Sequence, residues 1–292
     1  MPRRKAGSKP KVEEVGDVVT ADDGSLAVVV NEWTEDKHYL LREYLNYQSN
    51  ARRKWLGNGG QGTTYIDLFC GAGRLKVRGR NRFIDGSAVL AWKSAQERGT
   101  PFSVVYIADA NAEMRAACEH RLRALGAPVE PIEGTALDAV AVVAQRLREY
   151  GLHFAFLDPY NLESLDLGII RALARFPHMD VLVHLSAMDL RRNAERYLVG
   201  SENRFEDFAP GWSQAVNRKG TREDIFRGIV EYWKSQVDAI GMETSTRFHS
   251  MRNFQNQVIY WLLLLYRNDL AEKFWNIVLK HQPNQTRGLF DS

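Results

Sequence analysis

The chain has 292 residues, 45% hydrophobic and 26% charged, with 39 Lys and Arg against 36 Asp and Glu. That is ordinary globular usage and excludes a disordered, collagenous or coiled-coil protein. Arg3, Arg4, Lys5, Lys9 and Lys11 precede the first acid, so the remainder is near neutral and any contact with nucleic acid must come from local patches. Cys70 and Cys118 are the only cysteines, too few for a disulfide framework or a zinc site. No apolar run approaches the roughly 20 residues of a membrane span, and no apolar segment follows the basic N-terminus. A reducing, cytoplasmic setting without membrane contact is expected.

Residues 1–24 are polar and Gly/Pro-containing and read as a disordered, basic lead-in. Residues 25–62 read as an N-terminal helical extension. It opens with a short strand over 25–30. Leu40, Leu41, Tyr44 and Leu45 then recur at helical spacing and predict a helix over 34–48. The main domain, 63–292, alternates strand and helix: strands over 64–69, 103–108, 129–132, 153–157 and 180–185, helices over 86–98, 111–125, 136–149 and 165–175. This order predicts an α/β fold, a Rossmann-like doubly wound sheet with helices on both faces. Residues 199–240 read as an insertion, irregular over 199–220 and helical from 221. Two β-rich runs, 243–249 and 258–265, are close enough to pair antiparallel, and a last helix covers 270–280. Five parallel strands closed by an antiparallel C-terminal pair resemble the class I methyltransferase type; a dehydrogenase more often continues parallel.

Four segments carry candidate chemistry. Asp67-Leu68-Phe69-Cys70-Gly71-Ala72-Gly73 ends the first long strand, where such folds bind ligands and where absent Cβ atoms allow close approach. The acid at Asp67 disfavours a pyrophosphate and favours a cationic ligand such as S-adenosylmethionine, with Asp67, Gly71 and Gly73 at its methionine end. A tight turn with a capping Asp is the plainer reading. Asp109, at the end of the next strand, suits the two ribose hydroxyls or the N-cap of the following helix. Asp158-Pro159-Tyr160 resembles the Asp/Asn-Pro-Pro-Tyr/Phe motif of amino-methyltransferases with one proline missing. There the acid receives the target amine and the aromatic stacks on a flipped base; a strand stop is the alternative. The segment 74–82 packs Arg74, Lys76, Arg78, Arg80 and Arg82 into nine residues. It reads either as a loop for a phosphate-bearing substrate or as a solvated one. Lys37 and His38 on the first helix join Arg74, Lys76 and Arg78 as substrate-binding candidates. No P-loop, His-Glu-x-x-His or Gly-x-Ser-x-Gly pattern is present.

Trp33, Lys37-His38, Tyr44-Leu45, Tyr65-Ile66-Asp67, Gly71-Ala72-Gly73, Gly86-Ser87-Ala88, Phe156 to Tyr160, Asp180 to Val183 and Phe274-Trp275 together resemble the three-Cys-motif partner (TcmP) family. The resemblance implies a methyltransferase-type fold and a partner protein bearing a three-cysteine motif. It also implies an adenine contact after the third strand. The family often has Gly-Asp there; this chain has Gly134-Thr135, leaving Thr135 or Asp138 for that role. An S-adenosylmethionine-dependent methyltransferase acting on nucleic acid or a phosphate-bearing substrate, with Asp158, Pro159 and Tyr160 at the acceptor, is the leading expectation. A non-catalytic partner or scaffold module that keeps the fold is the alternative; an occluded crevice would distinguish it.

Overall fold

The apolar runs of the sequence stack into one large sheet. The computed structural model describes residues 17–57, 59–193, 197, 205–253 and 255–281. In chain order its elements are β1 (Val18–Thr20), β2 (Leu26–Val30), α1 (Trp33–Leu56), β3 (Thr63–Asp67), β4 (Arg74–Val77), β5 (Phe83–Asp85), α2 (Ser87–Glu97), β6 (Val104–Ala108), α3 (Ala112–Ala124), β7 (Val129–Ile132), α4 (Ala136–Arg146) and β8 (Leu152–Leu157). They continue with α5 (Leu167–Leu173), β9 (Met179–Ser186), α6 (Ala187–Arg192), α7 (Phe205–Phe208), α8 (Trp212–Ala215), α9 (Arg222–Ala239), β10 (Glu243–Thr244), β11 (His249–Arg252), β12 (Val258–Tyr266) and α10 (Asp269–Lys280).

The large sheet runs β7-β6-β3-β8-β9-β12-β10, with β11 also paired to β12. The five strands from β7 to β9 are parallel, and β12 lies antiparallel to β9, β10 and β11. Side chains alternate between two cores, as strand geometry requires. Tyr65, Val105, Phe154 and Leu182 face the core shared with α1, α2, α3 and α10; Ile66, Tyr106, Ala155 and Val181 face the core shared with α4, α5 and α9. Both faces being covered explains why these strands are unbroken apolar runs. Helix starts are set locally. Asn111 caps α3, and Thr135 with Asp138 and Thr221 with Asp224 form reciprocal capping boxes on α4 and α9.

Four sequence expectations need correction. The lead-in expected to be disordered through residue 24 contains β1, whose Val18, Val19 and Thr20 pair with Val28, Ala27 and Leu26; residues 1–16 lie outside the described residues. The helix expected to end at 48 continues to Leu56. Gln48, Ser49 and Arg52 there are buried rather than solvated: Gln48 donates to Asp180, and Arg52 donates to the Leu45 and Thr100 carbonyls. The basic segment 74–82 is not a loop but a hairpin, β4–β5, in a second sheet of order β1-β2-β4-β5. The run expected over 243–249 is split into β10 and the start of β11. The described part of the insertion is also ordered: Phe205, Phe208 and Trp212 are buried, and Phe208 stacks on Trp233 of α9. Residues 198–204 lie outside the described residues.

Candidate functional site

The chain passes from β3 outward through β6 and β7, then returns to the other side of β3 as β8 and β9. A reversal of strand order opens a crevice at the carboxyl ends of the strands. Asp67, Asp109, Thr135 and Asp158 all lie in the first positions at or after those ends.

The loop after β3 is shaped by two glycines in the left-handed region. Gly73, at φ +75°, leaves little room for a side chain: a Cβ would meet Cys118 Sγ at 3.1 Å and Val89 Cγ2 at 3.2 Å. The loop is therefore pressed onto α2 and α3. Gly71, at φ +54°, is the opposite case, with nothing within 4 Å of a Cβ. Its outer face is bare backbone beside open space, the form of a cradle for a close-lying ligand. Its N–H donates to Asp109 Oδ2 at 3.0 Å, while Asp109 Oδ1 accepts from the Asn111 N–H at 2.8 Å. A carboxylate offers about four lone-pair sites, so Asp109 retains acceptor capacity. Burial raises its carboxyl above the ordinary range, opposed by the Asn111 and Gly71 N–H groups. Arg121 fixes the loop from behind, donating to the Ala72 carbonyl at 2.5 Å while forking onto Asp23 at 2.6 and 2.7 Å.

Asp67 lies beneath this loop, not on its open side. It is fully buried; Oδ2 accepts from Ser87 Oγ at 2.6 Å and Tyr65 Oη at 3.3 Å, and Oδ1 from the Phe69 N–H at 3.2 Å. Burial pushes its carboxyl up to about 7 against those hydrogen bonds, and the charge of Asp158 adds to the rise. The expectation that Asp67 directly receives a ligand cation is corrected on this ground: the carboxyl is enclosed and its oxygens serve the loop and the start of α2. Thr135 and Asp138 stand at the end of β7, exposed and bonded to each other, Thr135 Oγ1 to Asp138 Oδ2 at 2.7 Å.

A second cluster forms around Asp158. Lys37 Nζ lies 2.5 Å from Asp158 Oδ2, and His184 Nδ1 lies 3.2 Å from Oδ1. Burial pushes the Asp158 carboxyl up, but Lys37, His184 and His38 together outweigh it and hold the group below the ordinary range. His184 is driven down to about 4 by burial first and the Lys37 charge second, and His38 likewise. Both imidazoles are therefore neutral near pH 7. Tyr260 floors the cluster, its ring centroid 4.7 Å from His184 and 5.9 Å from Lys37 Nζ. Pro159 is buried, and Tyr160 projects with 64% of its surface exposed.

The structure thus joins Gly71 to Asp109 across the ends of β3 and β6, and sets Asp158 at the end of β8 against Lys37 and His184. It does not gather the hairpin cations with them as free charges. Arg74 is paired with Asp22 and Asp85, Arg78 with Asp17, Arg80 with Glu32 and Arg82 with Glu35; Lys76 lies over the Phe83 ring. Sequence reasoning gave no site role to Ser87, His184, Tyr260 or His249. Only His184 left a usable signal: Leu157 pairs with Val183, so the next residues, Asp158 and His184, fall side by side. That register is not fixed by either strand alone. Among the described residues no group of His, Cys, Asp and Glu is placed to hold a metal ion, and no helix is long and apolar enough to cross a membrane.

With its strand order, its reversal beside β3 and its antiparallel β12, the chain has the doubly wound α/β architecture of the class I methyltransferase type. No family model and no curated protein matches its sequence. Solved structures similar to it include a Legionella pneumophila protein of family DUF519, with 10% identity, 85% of this chain and 94% of that one covered, and a TM-score of 0.47. An O-methyltransferase from Bacillus cereus in complex with SAH is similar at 10% identity over 79% and 80% of the two chains, with a TM-score of 0.45. The O-methyltransferase TomG from Streptomyces achromogenes in complex with SAM is similar at 12% identity over 78% and 79%, with a TM-score of 0.46.

Proposed function

We propose that this chain is an S-adenosylmethionine-dependent methyltransferase, with the cofactor over Gly71 and the methyl acceptor at Asp158. The observation that carries the reading is the bare face of Gly71 directly beside a half-buried Asp109 that keeps acceptor capacity. Gly71 would admit the methionine portion, Asp109 would accept from the ribose hydroxyls, and Thr135 or Asp138 would meet the adenine. When bound, the cofactor supplies a methyl group already activated on a sulfonium.

The protein's part is then alignment more than acid–base chemistry. Asp67 and Arg121 hold the loop in place from below and behind. Lys37, with His184 and His38, keeps the Asp158 carboxylate charged despite its burial. That carboxylate would accept a hydrogen bond from an N–H or O–H nucleophile and so direct the nucleophile's lone pair. Tyr160, exposed beside it, offers a stacking surface for a planar acceptor. The sequence likeness around Trp33, Lys37-His38, Gly71 to Gly73 and Asp158 to Tyr160 supports membership of the three-Cys-motif partner family, and with it a protein partner of that kind.

Calorimetric titration with S-adenosylhomocysteine tests this reading. Saturable heat is expected from the wild type. Gly71→Val should weaken it by at least about tenfold, or ~1.4 kcal/mol, with the unfolding transition retained. Absence of heat, or a Gly71→Val chain that binds like the wild type, would overturn the proposal and leave the fold as a scaffold.

A further inference from the structure

The glycine loop after β3 does not hold its own shape. Gly71 and Gly73 flank Ala72 at φ +54° and +75°, in a region that glycine enters about as readily as the right-handed one. The peptide groups on either side of Ala72 can therefore turn over at little cost, and their orientation is decided by what their polar atoms bond. The Gly71 N–H donates to Asp109 at 3.0 Å, and the Gly73 carbonyl accepts from the Gly86 N–H at 2.8 Å. The Ala72 carbonyl accepts from Arg121 at 2.5 Å. Asp109 and Gly86 are fixed by their own places at the end of β6 and the start of α2. Arg121 instead reaches the loop on a long side chain from α3.

Such a side chain has much rotamer freedom to lose, so it fixes a carbonyl only where something fixes it in turn. Asp23 does so. Its carboxylate takes Arg121 in a two-point fork, Nε on Oδ2 at 2.6 Å and Nη2 on Oδ1 at 2.7 Å. The guanidinium is planar and rigid, so the fork decides where Nη1 points: onto the Leu26 carbonyl at 2.8 Å and the Ala72 carbonyl. Asp23 is itself set by the β1–β2 turn, where Oδ1 accepts from the Ser25 N–H at 3.1 Å. Leu26 and Val28 of β2 also pack against the small cluster of Ala72, Met114 and Ala117. The β1–β2 hairpin thus meets the middle of the loop twice, once through its carbonyl and once through its methyl group.

We infer that Asp23 is a positioning residue for the cofactor: through Arg121 it holds the loop between Gly71 and Gly73 in the conformation that receives the ligand. The identity of that ligand rests on the methyl-transfer reading; the hold on the loop does not. The segment that the sequence suggests is a disordered lead-in thus supplies part of the cofactor site. A chain without the fork spends part of its time with the Ala72 peptide turned, and its apparent affinity falls with the fraction that remains competent.

The test is calorimetric titration of the full chain with S-adenosylhomocysteine in the wild type, Asp23→Asn, Asp23→Glu and Glu32→Gln, together with the amide nitrogen resonance of Gly73 in the free chain. That resonance senses the hydrogen bond on the carbonyl of its own peptide group. Asp23→Asn should weaken binding at least about tenfold and move the Gly73 resonance. Asp23→Glu, which keeps the charge and both oxygens of the fork, should recover most of both. Glu32 joins the same part of the chain to Arg80 of the β4–β5 hairpin, and Glu32→Gln should bind as the wild type does. Should Asp23→Asn fail to fold, Arg121→Lys, which keeps the charge and loses the fork, is expected to weaken binding likewise. Wild-type affinity in Asp23→Asn or Arg121→Lys, or an equal loss in Glu32→Gln, would overturn the inference and leave the cofactor reading standing. Absence of binding by the wild type overturns the cofactor reading and this role with it, a result distinct from a wild type that binds and an Asp23→Asn chain that binds equally.

Discussion

Lys37 and Asp158 lie 121 residues apart in the chain and 2.5 Å apart in the fold, both largely buried. Breaking a buried pair by removing one partner typically costs about 3–5 kcal/mol, because the remaining charge stays desolvated. Lys37→Met should therefore lower the urea midpoint strongly, and adding Asp158→Asn should restore most of the loss. Additive losses in the double variant would show that the pair is not coupled. The two loop glycines make a contrasting pair. Gly73→Ala forces a Cβ against Cys118 and Val89 at positive φ, and should cost ~2 kcal/mol or more from crowding and left-handed strain together. Gly71→Ala meets no neighbour, so only the left-handed strain, about 1–2 kcal/mol, remains. Chemical denaturation of both variants distinguishes the two. At this scale the glycine loop and Asp109 were legible, because strand, turn and acid are neighbours in sequence. The role of Asp67 was misread because sequence does not show depth: a strand-end acid faces the ligand or the core according to what packs over it, here Ser87 and Tyr65.

The second sheet and α1 set how stability depends on pH. Asp180 of β9 accepts from Tyr44 at 2.7 Å and Gln48 at 3.0 Å on α1, yet burial raises its carboxyl to about 6. Its folded-state pKa lies above the unfolded value near 3.8, so the folded chain holds the proton longer and stability from this group falls as pH rises from about 4 to 6. Asp180→Asn should accordingly gain on the wild type over that window, by up to roughly 2–3 kcal/mol, in urea denaturation at pH 4 and pH 7. An unchanged difference between the two pH values would contradict this. Asp23 has the reverse sign. Its hydrogen bond with Arg121 lowers it to about 2, so its contribution is present above about 4 and is lost as pH falls through about 2. Arg121 links α3, the β1–β2 turn and the Ala72 carbonyl; Arg121→Leu should loosen the glycine loop, measured as faster amide exchange at Gly71 and Gly73. The chain segment 74–82 looked like a solvated loop because its alternating cations mark a two-residue period only when strand partners are known. Those partners, β2 and the acids Asp17, Asp22 and Glu32, come from residues before α1.

For the whole molecule, hydrophobic period and chain order carried the architecture. Apolar runs with helices between them allow few arrangements other than a parallel sheet covered on both faces. What the sequence could not place was every contact between α1 and the strand ends, since Lys37, His38 and Gln48 acquire their partners only through the crossing of α1 over the sheet. The account rests on a cofactor opening bounded by the ends of β3, β6 and β7. Hydrogen exchange of the full chain with and without S-adenosylhomocysteine tests it most directly. Slower exchange at residues 69–73, 109–111 and 133–138, with the β4–β5 hairpin unchanged, is the predicted result; unchanged exchange throughout those three segments, or protection confined to the hairpin and the start of α1, would contradict it.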